Sequence, residues 1–223
     1  GRFGGLLGYG MYRFKALQDN YEGDEGWRRW IQAYLACVAF ADAQIGRVLD
    51  ALDQSQYADN TIVIVTSDHG FHMGEKNQFM KRTVWEESTR VPLIIRMPNG
   101  RKKGKESNHP VGLIDLYPTL VDLCGLPTNA KLEGVSLRAL LENPGAAWEH
   151  VALSTLGQNN HAVRDRRWRY IRYADSSEEL YDHQTDPNEW NNLAVQSSAR
   201  EHGPIIARLK KHLPGTNRPQ RGT

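Results

Sequence analysis

Ser67-Asp68-His69-Gly70 sets a carboxylate beside an imidazole at the end of an apolar, β-branched run, Thr61 to Thr66 (TIVIVT). Open α/β sheets bind ligands at the carboxyl ends of their strands, so two metal-capable side chains emerging there together stand where a site is expected. The carboxylate offers a hard anionic oxygen and the neutral imidazole a nitrogen, and adjacent Asp and His can grip one divalent ion or two neighbouring ones. Calcium prefers oxygen and zinc accepts nitrogen readily, so the pair permits either ion. The plainer reading is a strand-terminal turn capped by Asp68, and the dipeptide alone does not decide between the two. Lys81, thirteen residues beyond Asp68, adds an ammonium at the start of Lys81-Arg82-Thr83-Val84-Trp85-Glu86-Glu87.

Such residues need a sheet and helices to hold them. Apolar positions from Trp27 to Leu52 recur at three- and four-residue steps, an amphipathic helix of about eight turns with Asp24 suited to its N-cap. TIVIVT, apolar on both faces, reads as a central parallel strand, and Val91 to Met97 (VPLIIRM) reads as a second buried strand ending at Pro98. Val111 to Cys124 has helical periodicity, with Gly125 as its stop and Pro118 marking a kink or a new first turn. Past Pro144 the texture changes to short strands at 151–155, 161–164, 168–173 and 179–181, then a closing helix at 197–213 and a loose tail at 214–223. The glycine-rich opening, 1–10, reads as a loop.

The 223 residues carry 28 Lys plus Arg against 26 Asp plus Glu, a net charge of +2 that argues against a nucleic-acid or membrane-surface protein. No apolar run approaches the roughly 20 residues of a membrane span. Two local basic clusters, Arg101, Lys102, Lys103 with Lys105, and Arg164, Arg166, Arg167 with Arg169, read as solvated faces. Cys37 and Cys124 lie inside helical apolar patterns and read as free buried thiols.

The stretch 61–98, containing TSDHGFHMGEKNQFMKRTVWEESTRVPLIIRMP, resembles the second half of the sulfatase family, in particular its iduronate-sulfatase-like and choline-sulfatase-like members. GLIDLYPTLVDLCGLP at 112–127, Glu133-Gly134-Val135-Ser136-Leu137, Glu179-Leu180-Tyr181-Asp182, Asp186-Pro187-Asn188-Glu189 and Asn192-Leu193 follow in that family's order, so the resemblance spans most of 25–195. It implies that Asp68 and His69 ligate a divalent cation, usually calcium in this family, and that Lys81 contacts sulfate oxygens. His72, Glu75 and Lys76 share that loop and either face the substrate or serve as plain loop residues. His161 opens a segment that in similar sulfatases runs near the substrate pocket, which makes His161 or Arg164 a candidate to read the organic part of the ester. Trp85 and Glu86 are expected to pack and hydrogen-bond structurally. By the same resemblance the compartment would be periplasmic, extracellular or lysosomal.

Sulfatases oxidise a cysteine or serine in a Cys/Ser-x-Pro/Ala-x-Arg motif to formylglycine, and no segment here fits that pattern. The family's first-strand Asp-Asp pair is also absent. The expectation is therefore an α/β fold with a mixed, largely parallel sheet flanked by helices, alkaline-phosphatase-like and incomplete at its N-terminal side. Residues 1–145 would form that part, and 146–223 a small antiparallel sheet with a terminal helix. As such a fragment the chain would be inactive alone, and an uncovered sheet edge would favour self-association. Two alternatives remain: a metal-dependent phosphatase, phosphodiesterase or phosphonate hydrolase of the same superfamily, and a non-catalytic module that binds a metal or an anionic glycan.

Overall fold

The computed structural model describes residues 7–21, 24–98 and 104–217. The basic residues Arg101, Lys102 and Lys103, and the last six residues of the tail, lie outside them. The chain sorts into two compact units. The first takes the residues up to Thr83 and the segment from Arg90; the second takes Val84–Thr89 and the chain from Gly104 onward.

In the first unit, α1 (Leu7–Asn20) precedes the 29-residue α2 (Glu25–Asp53). Residues 7–10, read as loop, are thus helical. Gly10 is where α1 touches the chain beyond it, since a Cβ there would lie 2.7 Å from the Phe79 carbonyl. Asp24 holds the N-cap position of α2 without a side-chain capping bond. The start of α2 packs: Trp30 lies 5.4 Å from the Phe79 ring and Tyr34 5.3 Å from that of Phe71. Farther along, its apolar stripe is open, with Phe40 69% and Val48 67% exposed. Cys37 belongs to this uncovered length and is exposed rather than buried.

β1 (Val63–Thr66) pairs with β4 (Leu93–Arg96), with Val63 opposite Arg96. The pairing is antiparallel, not the parallel one expected: apolar faces signal cover on both sides of a strand, not the direction of its neighbour. Nor are these strands fully buried, since Ile94 is 61% exposed. Between them a tight hairpin joins β2 (His72–Met73) to β3 (Phe79–Met80).

The second unit begins with one helical turn, α3 (Glu86–Thr89). A short 3₁₀ turn leads into α4 (Leu116–Leu123), so Pro118 falls in a new first turn, where its missing N–H costs nothing. Gly125 ends the helix at φ +62°, with Leu126 N–H bonding the Val121 carbonyl at 2.9 Å and Gly125 N–H the Asp122 carbonyl at 3.3 Å. That double bond pattern needs a left-handed residue, which glycine supplies without a steric cost. Cys124, beside it, is exposed. Asp115 accepts the backbone N–H groups of Gly112 and Val135, each at 2.8 Å, and so ties together two motifs distant in sequence. Beyond the short α5 (Arg138–Glu142), β5 (Ala152–Thr155), β6 (His161–Arg164), β7 (Trp168–Arg172) and β8 (Glu178–Asp182) form an antiparallel meander. α6 (Gln196–Lys210) covers it, and Leu209 joins Val163, Trp168, Tyr170 and Leu180 in the core. The small antiparallel sheet and closing helix are as expected.

Candidate metal and anion site

β1 delivers the chain to Ser67, whose hydroxyl donates to the His69 carbonyl at 2.9 Å and closes the turn. His69 Nδ1 lies 2.8 Å from the Gly70 carbonyl. A carbonyl only accepts, so Nδ1 carries the proton, and the neutral ring keeps its lone pair on Nε2. That nitrogen has two neighbours: Lys81 Nζ at 2.5 Å and Asp68 Oδ2 at 3.4 Å. Asp68 is 82% and His69 30% exposed along the side chain, so the cluster is open to solvent.

Lys81 is brought there by the hairpin. Gly74, at φ +123°, turns the chain under Trp27, whose indole N–H donates to the Met73 carbonyl. Gly74 N–H then bonds the Gln78 carbonyl at 2.9 Å. Met80 (φ 73°) and Arg82 (φ 82°) hold left-handed backbone on either side of Lys81. Such angles cost a non-glycine residue on the order of 1–3 kcal/mol and cluster at binding sites. The structure therefore brings Asp68, His69 and Lys81 together. His72 is elsewhere in its surroundings: buried on β2, with Nε2 2.8 Å from Thr83 Oγ1.

In the second unit His161 is buried, its Nδ1 2.8 Å from Thr155 Oγ1 and its Nε2 2.6 Å from the Asn217 amide. Burial, helped by the Arg172 charge, holds its pKa below the ordinary value. Arg164 sits 3.7 Å from Glu86, directly across the β6–β7 register from Arg169. Arg169 is not on a solvated face but almost fully buried, ion-paired to Glu86 and, at 2.6 Å, to Glu189. His183 Nε2 is 2.9 Å from the same Glu189 oxygen. Burial pushes the Glu86 carboxyl up, but the Arg169 guanidinium more than offsets it and leaves it below the usual range. Trp85 donates to Glu179 at 2.7 Å, a structural bond of the kind expected for it.

Residues 11–126 match the family model described as Sulfatase, more than half of the chain, and residues 74–218 match that described as N-sulphoglucosamine sulphohydrolase, C-terminal. The chain belongs to the sulfatase family. Over 191 residues it is 46% identical to a sulfatase of Formosa agariphila, covering 86% of this chain and 37% of that one. It is 36% identical over 180 residues to the N-acetylglucosamine-6-O-sulfatase of Bacteroides thetaiotaomicron, covering 75% and 32%. A solved protein in complex with its substrate D-glucosamine-2-N,6-O-disulfate superposes with a TM-score of 0.77 at 30% identity, over 90% of this chain and 43% of that one. The chain thus spans well under half the length of these relatives, and the α/β fold read from the sequence is the one they share.

Sulfatases imply a divalent cation, and the donors at the β1 end fit part of one. Two ligands set at right angles around an ion at about 2.3 Å stand about 3.3 Å apart, close to the 3.4 Å between Asp68 Oδ2 and His69 Nε2. Among the described residues no third carboxylate, imidazole or thiol completes a group with them. The three-ligand group that does occur, Glu86, His183 and Glu189 within 4.8 Å of one another, is not such a site, because the Arg169 guanidinium fills it. From the sequence, His183 shows no ligand spacing and reads as a surface or core histidine, and Glu189 is legible only as part of a family-like motif. The signal was present in Asp186-Pro187-Asn188-Glu189, but nothing local pairs that motif with an arginine on β7.

Proposed function

We propose that Asp68, His69 and Lys81 form part of the cation- and sulfate-facing site of a sulfate ester hydrolase that acts on a sulfated sugar. The observation that carries the reading is a single imidazole nitrogen, His69 Nε2, with the Lys81 ammonium at 2.5 Å and an Asp68 carboxylate oxygen at 3.4 Å. As the ester S–O bond breaks, negative charge gathers on the sulfate oxygens, and the Lys81 ammonium, resting on His69 Nε2, is the nearby cation to donate to them. A divalent cation bound through Asp68 and His69 supplies a second positive charge there. The Gly70 carbonyl holds the His69 proton on Nδ1, so that Nε2 stays available as a ligand. Removing one preorganised partner of this kind typically costs about 3 kcal/mol of transition-state stabilisation.

The substrate class rests on the relatives, one named for N-acetylglucosamine-6-O-sulfate chemistry and another bound to a glucosamine disulfate. His72, His161 and Arg164 are each committed to protein partners, so the proposal assigns sulfate contact to Lys81 alone. No segment carries the formylglycine precursor pattern, and the 223-residue chain is proposed to bind without turnover. Calorimetric titration with calcium tests the assignment: Asp68→Asn and His69→Gln should each weaken binding about tenfold, and unchanged affinity in both would overturn it. Hydrolysis of an aryl sulfate by the purified chain would overturn the claim of inactivity.

A further inference from the structure

A concavity lies in the C-terminal unit, remote in sequence from Asp68 and Lys81. It has a volume of about 420 Å³ and is lined among others by Trp148, His150, Arg166, Arg208, His109 and His212. That volume lies within the range of small-molecule pockets, roughly 300–1,000 Å³. The turn between β6 and β7 forms one wall, and the end of α6 supplies Arg208 and the nearby His212.

The charges of this wall are unevenly spent. Asp165 is used up: one oxygen takes the Arg167 and Trp168 backbone N–H groups at 2.8 and 2.6 Å, and the other takes Arg208 at 2.5 Å. Arg167 is held in a two-pronged pair by Asp182, at 2.9 and 2.7 Å. Arg166, exposed at the tip of the turn, has no ion-pair partner among the described residues, and the rings of His109, His150 and His212 make no hydrogen bond there. Among the described residues of this wall, Glu149 is the one carboxylate that opposes them without an ion-pair partner. Fixed charge is therefore close to balanced, but the unspent donors outnumber the unspent acceptors. Beside them stands an aromatic surface, with the Trp148 ring 4.8 Å from that of His150.

A flat apolar ring next to an unpaired guanidinium and several imidazoles suits a ligand that has both a face to stack and an oxyanion to offer. We propose that this pocket is a second binding site for an acidic saccharide, one sulfated sugar unit of a longer chain, separate from the site at the end of β1. The preference for an oxyanion comes from the pocket; the choice of a sulfated sugar rests on the proposed function.

Calorimetry of the 223-residue chain with a sulfated tetrasaccharide tests this, against its unsulfated counterpart and inorganic sulfate. Binding is expected for the sulfated tetrasaccharide, about tenfold weaker in Arg166→Glu and in His150→Gln. Absence of binding, or wild-type affinity in both pocket variants, overturns the proposal. So does equal binding of the unsulfated sugar or of inorganic sulfate. Loss of binding in Asp68→Asn but not in Arg166→Glu would place the sugar at the β1 turn, overturning the second site while leaving the first reading intact.

Discussion

His69 Nε2 is a contested atom, because a metal ion and the Lys81 ammonium both require its lone pair. Lys81 holds that position at 2.5 Å, so a cation arriving at His69 must displace a positive charge. Lys81→Met should therefore tighten calcium or zinc binding several-fold, as expected for two charges about 4 Å apart in a water-exposed setting, while Lys81→Arg should not. Calorimetry decides it, and equal affinities for wild type and Lys81→Met would show that the ammonium does not compete. The type and spacing of Asp68, His69 and Lys81 were legible in the sequence. The tautomer was not, since it depends on the carbonyl of the next residue folding back onto the ring. His72 was illegible for a related reason: a histidine amid Gly, Met and Lys reads as loop, yet a two-residue strand encloses it.

At the scale of elements, α3 is fastened to the meander by charge. Glu189 is fully buried, and its partner Arg169 also serves Glu86 and donates to the Val84 carbonyl at 3.1 Å. Removing one member strands the others. Arg169→Met should lower the stability of this unit by about 3 kcal/mol in denaturant unfolding, and adding Glu189→Met should restore part of it. If the single variant is as stable as wild type, the network contributes nothing. The arginine pattern on β6 and β7 looked like a solvated face because alternation marks two sides of a strand without saying what covers either; the cover here is a helical turn some 80 residues upstream.

The same unit should weaken in acid by two routes. His161, held below its ordinary 6.5, binds a proton more readily unfolded than folded, so stability falls as pH drops below about 6.5. Glu86 and Asp182 lie below their ordinary 4.5 and 3.8. The stability they bring is complete above those values and is lost as pH falls through their folded pKa values. Scanning calorimetry should show a lower melting temperature at pH 5 than at pH 7, and His161→Gln should flatten that interval. An unchanged slope in the variant would assign the loss elsewhere.

For the molecule as a whole, the uncovered length of α2 governs solution behaviour. Leu35, Val38, Phe40 and Val48 are all exposed, a larger apolar stripe than soluble chains usually leave open. The chain should bind a hydrophobic dye and sediment as concentration-dependent oligomers, and Phe40→Lys with Val48→Lys should reduce both signals several-fold. Dye binding untouched by the pair of substitutions would place the sticky surface elsewhere. The periodicity of α2 revealed a helix and its apolar side, but a sequence pattern does not say whether that side meets a partner. That is why Cys37 was expected to be buried.

The path of the chain adds a constraint of another kind, in time. It leaves the first unit after Thr83, lends α3 to the second, and returns at Arg90 before completing β4. During synthesis the first unit has all its strands once Arg96 has emerged, whereas the Glu86 backbone waits for Glu189, 103 residues later. At about 5–20 residues per second that delay is roughly 5–20 s. For most of it a half-built protein carries Glu86 in water, with Arg169, the arginine that pairs with it, not yet made.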